Sequence, residues 1–276
     1  MCSICGCDAS NKSSVLKSQN DHKHHYGLLH KETSDSAGGS SKLIEVERSI
    51  LSKNDTYAAK NRSWFKANGH LVLNLVSSPG AGKTTLLVET IKAMSGRYSI
   101  GVVEGDQETA NDADRIRETG VSAVQINTGS GCHLDAHMVG HAVEDLPAML
   151  DAILFVENVG NLVCPASFDL GESAKVVILS STEGDDKPLK YPNMFAAAAT
   201  MVLSKADLLP YVDFNADKAI ENALAINPDL TCIQVSSTTG DGMDKWINWI
   251  EVEAAKAAAA RLKHPNLVPS LKHHHA

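Results

Sequence analysis

Residues 71–94 read as a strand, a glycine-bearing turn and a helix in immediate succession, and the turn is Ser77-Ser78-Pro79-Gly80-Ala81-Gly82-Lys83-Thr84-Thr85. This stretch constrains the fold more than any other, because a phosphate loop needs a buried strand before it and a helix opening directly after it. Leu71-Val72-Leu73-Asn74-Leu75-Val76 supplies the strand, and Thr85-Leu86-Leu87-Val88-Glu89-Thr90-Ile91 continues as the helix. Gly80 and Gly82 let the backbone approach a polyphosphate with its N–H groups turned inward, around Ala81. The helix opening at Lys83 presents its positive end to the anion. Lys83 is placed to reach the β- and γ-phosphates, the Thr84 hydroxyl to hold Mg²⁺, and Thr85 to continue the cradle. Ser77 stands where the general G-x-x-x-x-G-K-[ST] pattern has glycine.

Beyond this unit, strands and helices alternate. Strands fit residues 71–76, 98–103, 121–126, 152–156, 175–180, 199–204 and 231–235, and helices fit 84–95, 109–119, 135–146, 214–226 and 242–263. That alternation predicts an α/β fold of the P-loop NTPase type, a mostly parallel sheet with helices on both faces. Ligands in such sheets sit at the carboxyl ends of the strands. Residues 8–40 read as a polar linker ending in Gly38-Gly39-Ser40-Ser41, and a helix over 42–68 follows with Leu43, Ile44, Val46, Ile50 and Leu51 as its apolar face. The expected organisation is therefore a Cys- and His-bearing tail and linker over 1–40, a nucleotide-binding domain over 41–265 and a C-terminal tail over 266–276.

The formal charge of −8 over 276 residues argues against a nucleic-acid binder that works by phosphate neutralisation. No apolar run approaches the roughly 18 residues of a membrane span, and the N-terminus has no apolar secretory core. The expected compartment is the reducing cytoplasm, where the six cysteines read as metal ligands or buried thiols before they read as disulfides. Cys232, in the apolar run Thr231-Cys232-Ile233, reads as a buried small hydrophobe.

Two further strand ends carry acids. Ile153-Leu154-Phe155-Val156 runs into Glu157-Asn158-Val159-Gly160, where Glu157 is expected to hold Mg²⁺ and the Gly160 N–H to sense a γ-phosphate. Ile100-Gly101-Val102-Val103 runs into Glu104-Gly105-Asp106, where Asp106 is expected to contact Mg²⁺ or orient an attacking water. A carboxylate capping a helix is the alternative for both. Ser204-Lys205-Ala206-Asp207 resembles the N-K-x-D element of GTP-binding proteins, with Ser204 in place of Asn. Asp207 there would accept from guanine N1–H and its 2-amino group, and adenine would leave that carboxylate unpaired. Lys205 would lie along the base. Ser236 and Ser237 occupy the next strand end, where the Ser237 N–H could reach guanine O6.

The thiols cluster. Cys2, Cys5 and Cys7 place three sulfurs within reach of one ion, and thiolates suit Ni²⁺, Zn²⁺ or Cu⁺. His22, His24, His25 and His30 follow in the linker, as auxiliary ligands or as solvated side chains. Cys132-His133 follows one strand end and Cys164 lies just past Glu157-x-x-Gly160, so both are expected at the active edge of the sheet. With three ligands among them, a fourth would come from water or from a second subunit across a twofold axis. His137 and His141 read as helix-surface residues that could flank the site.

Taken together, these residues resemble the hydrogenase nickel-incorporation GTPases, the HypB family. The resemblance runs through Cys2-x-x-Cys5-Gly-Cys7, the phosphate loop with its Ser77, Glu104-Gly105-Asp106-Gln107, Gly131-Cys132-His133-Leu134-Asp135, Glu157-Asn158-Val159-Gly160-Asn161-Leu162-Val163-Cys164-Pro165 and Thr182-Glu183-Gly184-Asp185-Asp186-Lys187. It implies an enzyme that hydrolyses GTP to GDP with Mg²⁺ and acts as a metallochaperone, helping to deliver nickel to the large subunit of [NiFe]-hydrogenase. It implies a nickel-relay accessory protein and the hydrogenase large-subunit precursor as partners, a homodimer in the GTP-bound state, and Ni²⁺ or Zn²⁺ at Cys132, His133 and Cys164. Three competing readings are a sister GTPase serving urease or a cobalamin enzyme, against which the Cys-rich terminus speaks; an ATP-dependent switch, against which Asp207 speaks; and a metal store with a vestigial nucleotide site.

Overall fold

The computed structural model describes residues 36–106, 111–129 and 131–263, and of residues 36–44, 47 and 111 it describes the backbone alone. Cys2, Cys5, Cys7, the linker histidines and the segment 266–276 lie outside the described residues.

In chain order the elements are α1 (Ser36–Asn68), β1 (Leu71–Ser77), α2 (Lys83–Met94), β2 (Ile100–Asp106), α3 (Asn111–Arg117), β3 (Ser122–Asn127), α4 (Ala136–Glu144), β4 (Ile153–Glu157), α5 (Cys164–Ser167), β5 (Ala174–Ser180), α6 (Lys187–Lys190), α7 (Pro192–Ala197), β6 (Thr200–Ser204), a 3₁₀ turn (Ala206–Tyr211), α8 (Ala216–Ile226), β7 (Thr231–Gln234) and α9 (Met243–Leu262). The strands form one seven-stranded sheet in the order β3-β2-β4-β1-β5-β6-β7. All six neighbouring pairs are parallel. The α/β expectation therefore holds, with helices on both faces.

The period of two along each strand sorts the core. Leu71, Leu73 and Leu75 of β1 and Val176 and Ile178 of β5 point to one face, where they meet Leu87 and Ile91 of α2 and Trp246 and Ile250 of α9. Val72 points the other way to Phe65 of α1 and Val139 and Val143 of α4. Val76, Val177 and Leu179 meet Met194 and Phe195 of α7 and Ala219 and Ala223 of α8. The indole nitrogen of the buried Trp246 donates to Thr90 Oγ1 at 2.8 Å, so its burial leaves no polar atom stranded.

Three expectations need correction. Strand β2 does not stop at residue 103: parallel pairing with β3 continues through Asp106↔Asn127, so Glu104, Gly105 and Asp106 lie inside the strand. Helix α1 begins at Ser36, within the stretch expected to be linker, because a glycine costs only about 1 kcal/mol in a helix that is already nucleated by its packed C-terminal half. Its buried stripe is not the expected apolar one either. Val46 is 53% and Ile50 38% exposed, whereas Asn54, Ala58, Asn61 and Phe65, spaced i, i+4, i+7 and i+11, are all buried. Two of those four positions are polar, so a search for apolar periodicity passes over them.

Candidate nucleotide and metal sites

The phosphate loop hangs from the middle of the sheet. Every residue of β1 is buried. Gly80 (φ 73°) and Gly82 (φ 93°) occupy the left-handed region that lets the chain double back, and α2 opens at Lys83. The Lys83 amine, held below its ordinary pKa by burial, donates to Ser77 Oγ at 2.9 Å. Ser77 is thus the resting partner of the lysine, which gives the unusual first position of the loop a physical role.

Neighbouring strand ends brace the loop from outside. Ser204 Oγ donates to the Ala81 carbonyl at 2.7 Å, and Lys205 Nζ to the Gly80 carbonyl at 2.8 Å. Lys187 Nζ donates to Ser78 Oγ at 3.0 Å. On the far side, adding a Cβ to Gly160 would bring it to 3.0 Å from Pro79 Cα and 3.1 Å from Pro79 N, so the segment after β4 lies directly on the loop.

The cleft in front of the loop has a volume of about 840 Å³, and Lys83, Thr84, Glu104, Asp106, Asp112 and Glu157 are among its lining residues. Thr84 Oγ1 donates to Glu157 Oε1 at 2.7 Å. Glu104 stands opposite Glu157 in the parallel register of β2 and β4. Burial, with the facing Glu157 charge next, pushes Glu104 up to about 8. Burial pushes Glu157 up to about 7 against the opposing pull of Lys83 and of the Thr84 hydroxyl. Glu104 Oε2 and Glu157 Oε2 are both buried without a hydrogen-bond partner among the described residues. Two solvent-starved carboxyls beside a hydroxyl form an all-oxygen donor set, which fits a hard cation such as Mg²⁺. Glu104 was passed over in the sequence. It sits in the same strand end as Asp106, and only the register shows that it shares a face with Glu157.

At the ends of β6 and β7 the expected base-reading residues come together. Lys205 adopts φ 57°, which turns the chain so that Asp207 meets the next loop. Ser236 Oγ donates to Asp207 Oδ1 at 2.6 Å, and the half-buried Ser237 follows it.

The sulfur cluster lies on the β3–β4 side. The Cys132, His133 and Cys164 donor atoms lie within 4.8 Å of one another. The two sulfurs are 3.0 Å apart, and Cys132 Sγ is 3.5 Å from His133 Nδ1. Burial lowers the His133 pKa, which keeps the imidazole in its neutral, ligating form. Its ring packs on Phe168 with centroids 3.9 Å apart. Asn161 Nδ2 donates to the Cys132 carbonyl at 3.1 Å, and Asn158 Oδ1 accepts from Leu134 N at 3.1 Å. The segment from Glu157 to Cys164 therefore touches the phosphate loop at Gly160 and the thiol cluster at Asn158, Asn161 and Cys164. His137 and His141 of α4 face one another with their Nε2 atoms 3.1 Å apart.

Residues 71–234 match the model of the CobW/HypB/UreG nucleotide-binding domain. The hydrogenase maturation factor HypB of Rhizobium leguminosarum bv. viciae is 64% identical over 217 residues, a span covering 79% of this chain and 73% of that protein. The chain belongs to the HypB family. Two solved members show the same architecture. HypB from Archaeoglobus fulgidus superposes with a TM-score of 0.68 at 37% identity, covering 74% of this chain and 99% of its own. HypB from Helicobacter pylori, solved in complex with nickel, also gives 0.68, at 38% identity, covering 74% of this chain and 96% of its own. The family match makes this a nucleotide-binding hydrogenase maturation factor, and among the described residues no helix is long and apolar enough to cross a membrane.

Proposed function

We propose that this protein is a Mg²⁺-dependent GTPase that assists nickel insertion into the large subunit of [NiFe]-hydrogenase, and that GTP-driven homodimerisation couples hydrolysis to the metal held at Cys132, His133 and Cys164. One observation carries the reading: the segment joining Glu157 to Cys164 rests on the phosphate loop through Gly160 and on the thiol cluster through Asn161. A γ-phosphate is the group that such a segment would sense, and Cys164 rides on it.

In this reading Gly80, Ala81, Gly82, Lys83, Thr84 and Thr85 cradle the phosphates of GTP. Lys205 and Asp207 read guanine, with Ser236 holding the Asp207 carboxylate and Ser237 N–H beside it. Mg²⁺, bound at Thr84, Glu157 and Asp106 with the Glu104 carboxylate beside them, would neutralise charge on the phosphates. Asp106 also orients water toward the γ-phosphorus, giving GDP and phosphate. Loss of the γ-phosphate frees Gly160 from it, the Glu157–Cys164 segment relaxes, and the metal affinity of Cys132, His133 and Cys164 changes. Linkage requires the metal to alter nucleotide affinity by the same factor. The cluster would take Ni²⁺ as cargo and can also hold Zn²⁺. The tail over 1–40, with Cys2, Cys5 and Cys7, would form a second nickel site outside the domain of residues 41–265, and a nickel-relay accessory protein would exchange metal with one of them in the cytoplasm.

An anaerobic Ni²⁺ titration of the protein loaded with GDP, and again with a non-hydrolysable GTP analogue, tests the coupling. The reading expects one site to change affinity with the nucleotide. Identical affinities at every site would sink it.

A further inference from the structure

The thiol cluster is assembled from two segments that have no strand or helix in common, and each is followed by a stretch of backbone bonded to α1. Asn54 Oδ1 accepts from Ala136 N at 2.9 Å while its Nδ2 donates to the Asp169 carbonyl at 2.8 Å. Asn61 Nδ2 donates to the Ala136 carbonyl at 2.7 Å and to the Leu170 carbonyl at 3.0 Å. Each carboxamide therefore spans the same gap: Ala136 lies three residues past His133, and Asp169 five past Cys164. Arg62 adds a pair of bonds to the Asp169 carboxylate, at 2.6 and 2.8 Å.

We propose that Asn54 and Asn61 of α1 are positioning residues of the metal centre, setting the spacing between the Cys132–His133 and Cys164 segments. This rests on the reading of Cys132, His133 and Cys164 as a metal site. Three observations support it. Asn54 and Asn61 are 5% and 0% exposed, so water does not compete for these bonds. Asn61 Oδ1 has no hydrogen-bond partner among the described residues, a cost that a helix needing only to pack would avoid with an apolar side chain. The approach between the helix and the second segment is also close, since a Cβ on Gly171 would lie 2.6 Å from the Ala58 carbonyl oxygen and 2.7 Å from Asn61 Cβ. Donors held at a set spacing lose less freedom when a metal arrives, and releasing them weakens binding.

The test uses the full chain with Cys2, Cys5 and Cys7 each changed to Ser, so that the tail thiols do not bind. Co²⁺ is titrated anaerobically, and its thiolate charge-transfer and d–d bands are recorded; Ni²⁺ affinity is measured in parallel. Asn54→Ala and Asn61→Ala are expected to weaken both metals roughly 10- to 100-fold and to shift the d–d bands, with GDP affinity unchanged. Arg62→Ala, which loosens Asp169 from the partly exposed side without opening the core, gives a smaller loss in the same direction and serves if the Asn variants do not fold. Asn227→Ala is the matched control, because Asn227 Nδ2 also bridges two carbonyls, of Phe195 and Ala198, away from the cluster. Parent-like Co²⁺ spectra and affinities in folded Asn54, Asn61 and Arg62 variants, or an equal loss in Asn227→Ala, would overturn the proposal. If Cys132→Ser with Cys164→Ser leaves the bands as in the parent, the metal site itself is elsewhere and both readings fall.

Discussion

Lys83 and Thr84 reach their places within a single strand-turn-helix unit, whereas Cys132 and Cys164 meet across 32 residues of chain. The phosphate cradle is built mostly from backbone, with left-handed glycines and a helix terminus supplying its shape. Its braces, Ser204, Lys205 and Lys187, arrive from outside but only touch up a loop that its own residues already define. The sulfur cluster has no such local plan. Its donors sit on the loop after β3 and at the first residue of α5, and the bonds that hold those segments come from Asn158 and Asn161 within the site and from Asn54 and Asn61 on a helix that precedes the sheet. A cradle of this kind strains any other residue at its left-handed glycines, Gly80 and Gly82, through the backbone alone. The cluster depends on distant side chains that carry no chemistry themselves.

The largest effect should come from removing the cradle's cation. Lys83→Ala is expected to lower Mg²⁺–GTP and Mg²⁺–GDP affinity on the order of 100-fold and to abolish turnover, because it deletes charge-assisted bonds to phosphate. Calorimetry reads the first and phosphate release the second. The Co²⁺ spectrum of the nucleotide-free protein should not change, and if it collapses with Lys83 the two halves are one site rather than two. Cys164→Ser is the converse variant. It should weaken Ni²⁺ at the central cluster by at least roughly 10-fold, since a serine hydroxyl stays protonated and is a poor ligand beside a thiolate, while GDP affinity stays at the wild-type level.

A pH scan sharpens the comparison further. Glu104 and Glu157 have folded pKa values of about 8 and about 7, above the unfolded value of 4.5. The folded state therefore holds more protons than the unfolded state through this range, and the stability of the ligand-free protein falls as pH rises. His70, lowered by burial to about 4, acts in the opposite direction, but only between pH 4 and 6.5. From pH 6.5 to 8 the two carboxyls drive the slope, opposed by Lys83, which burial lowers, and their own contribution should be a loss of roughly 2 kcal/mol by urea denaturation. Glu104→Gln should flatten most of that slope, and saturating Mg²⁺–GDP should reverse it. A slope that survives Glu104→Gln intact would mean that the cradle's acids are not the source. The smallest effect is at Ser204→Ala, which removes one bond to the Ala81 carbonyl. It should cost about 1 kcal/mol of nucleotide binding and leave the cluster untouched; a larger loss would show that the loop leans on its braces more than its own backbone suggests.

Much of this was legible in the residue order. The phosphate loop, the alternation of strands and helices, and the acids at strand ends all follow from patterns within a few residues, because parallel strands buried on both faces read as continuous apolar runs. The approach of Cys132 to Cys164 could be anticipated from both lying past strand ends. Glu104 could not be told from Asp106, since the choice depends on which residue of β2 falls opposite Glu157. The buried stripe of α1 was misplaced for a similar reason: Asn54 and Asn61 look like solvent-facing residues until the backbone groups of Ala136, Asp169 and Leu170 are seen against them.

By itself, then, the sequence determined the class of fold, the place of the phosphate cradle and which sulfurs stand near it, since each is a matter of local backbone geometry or of position past a strand end. Only the tertiary structure decided which acids face one another, how the segment after β4 joins the cradle to the cluster, and that α1 bonds to the stretches that follow both cysteines of the cluster. Those are contacts between residues far apart in the chain, and a hydrogen-bond partner that folding brings from a hundred residues away leaves no mark on the letters around it.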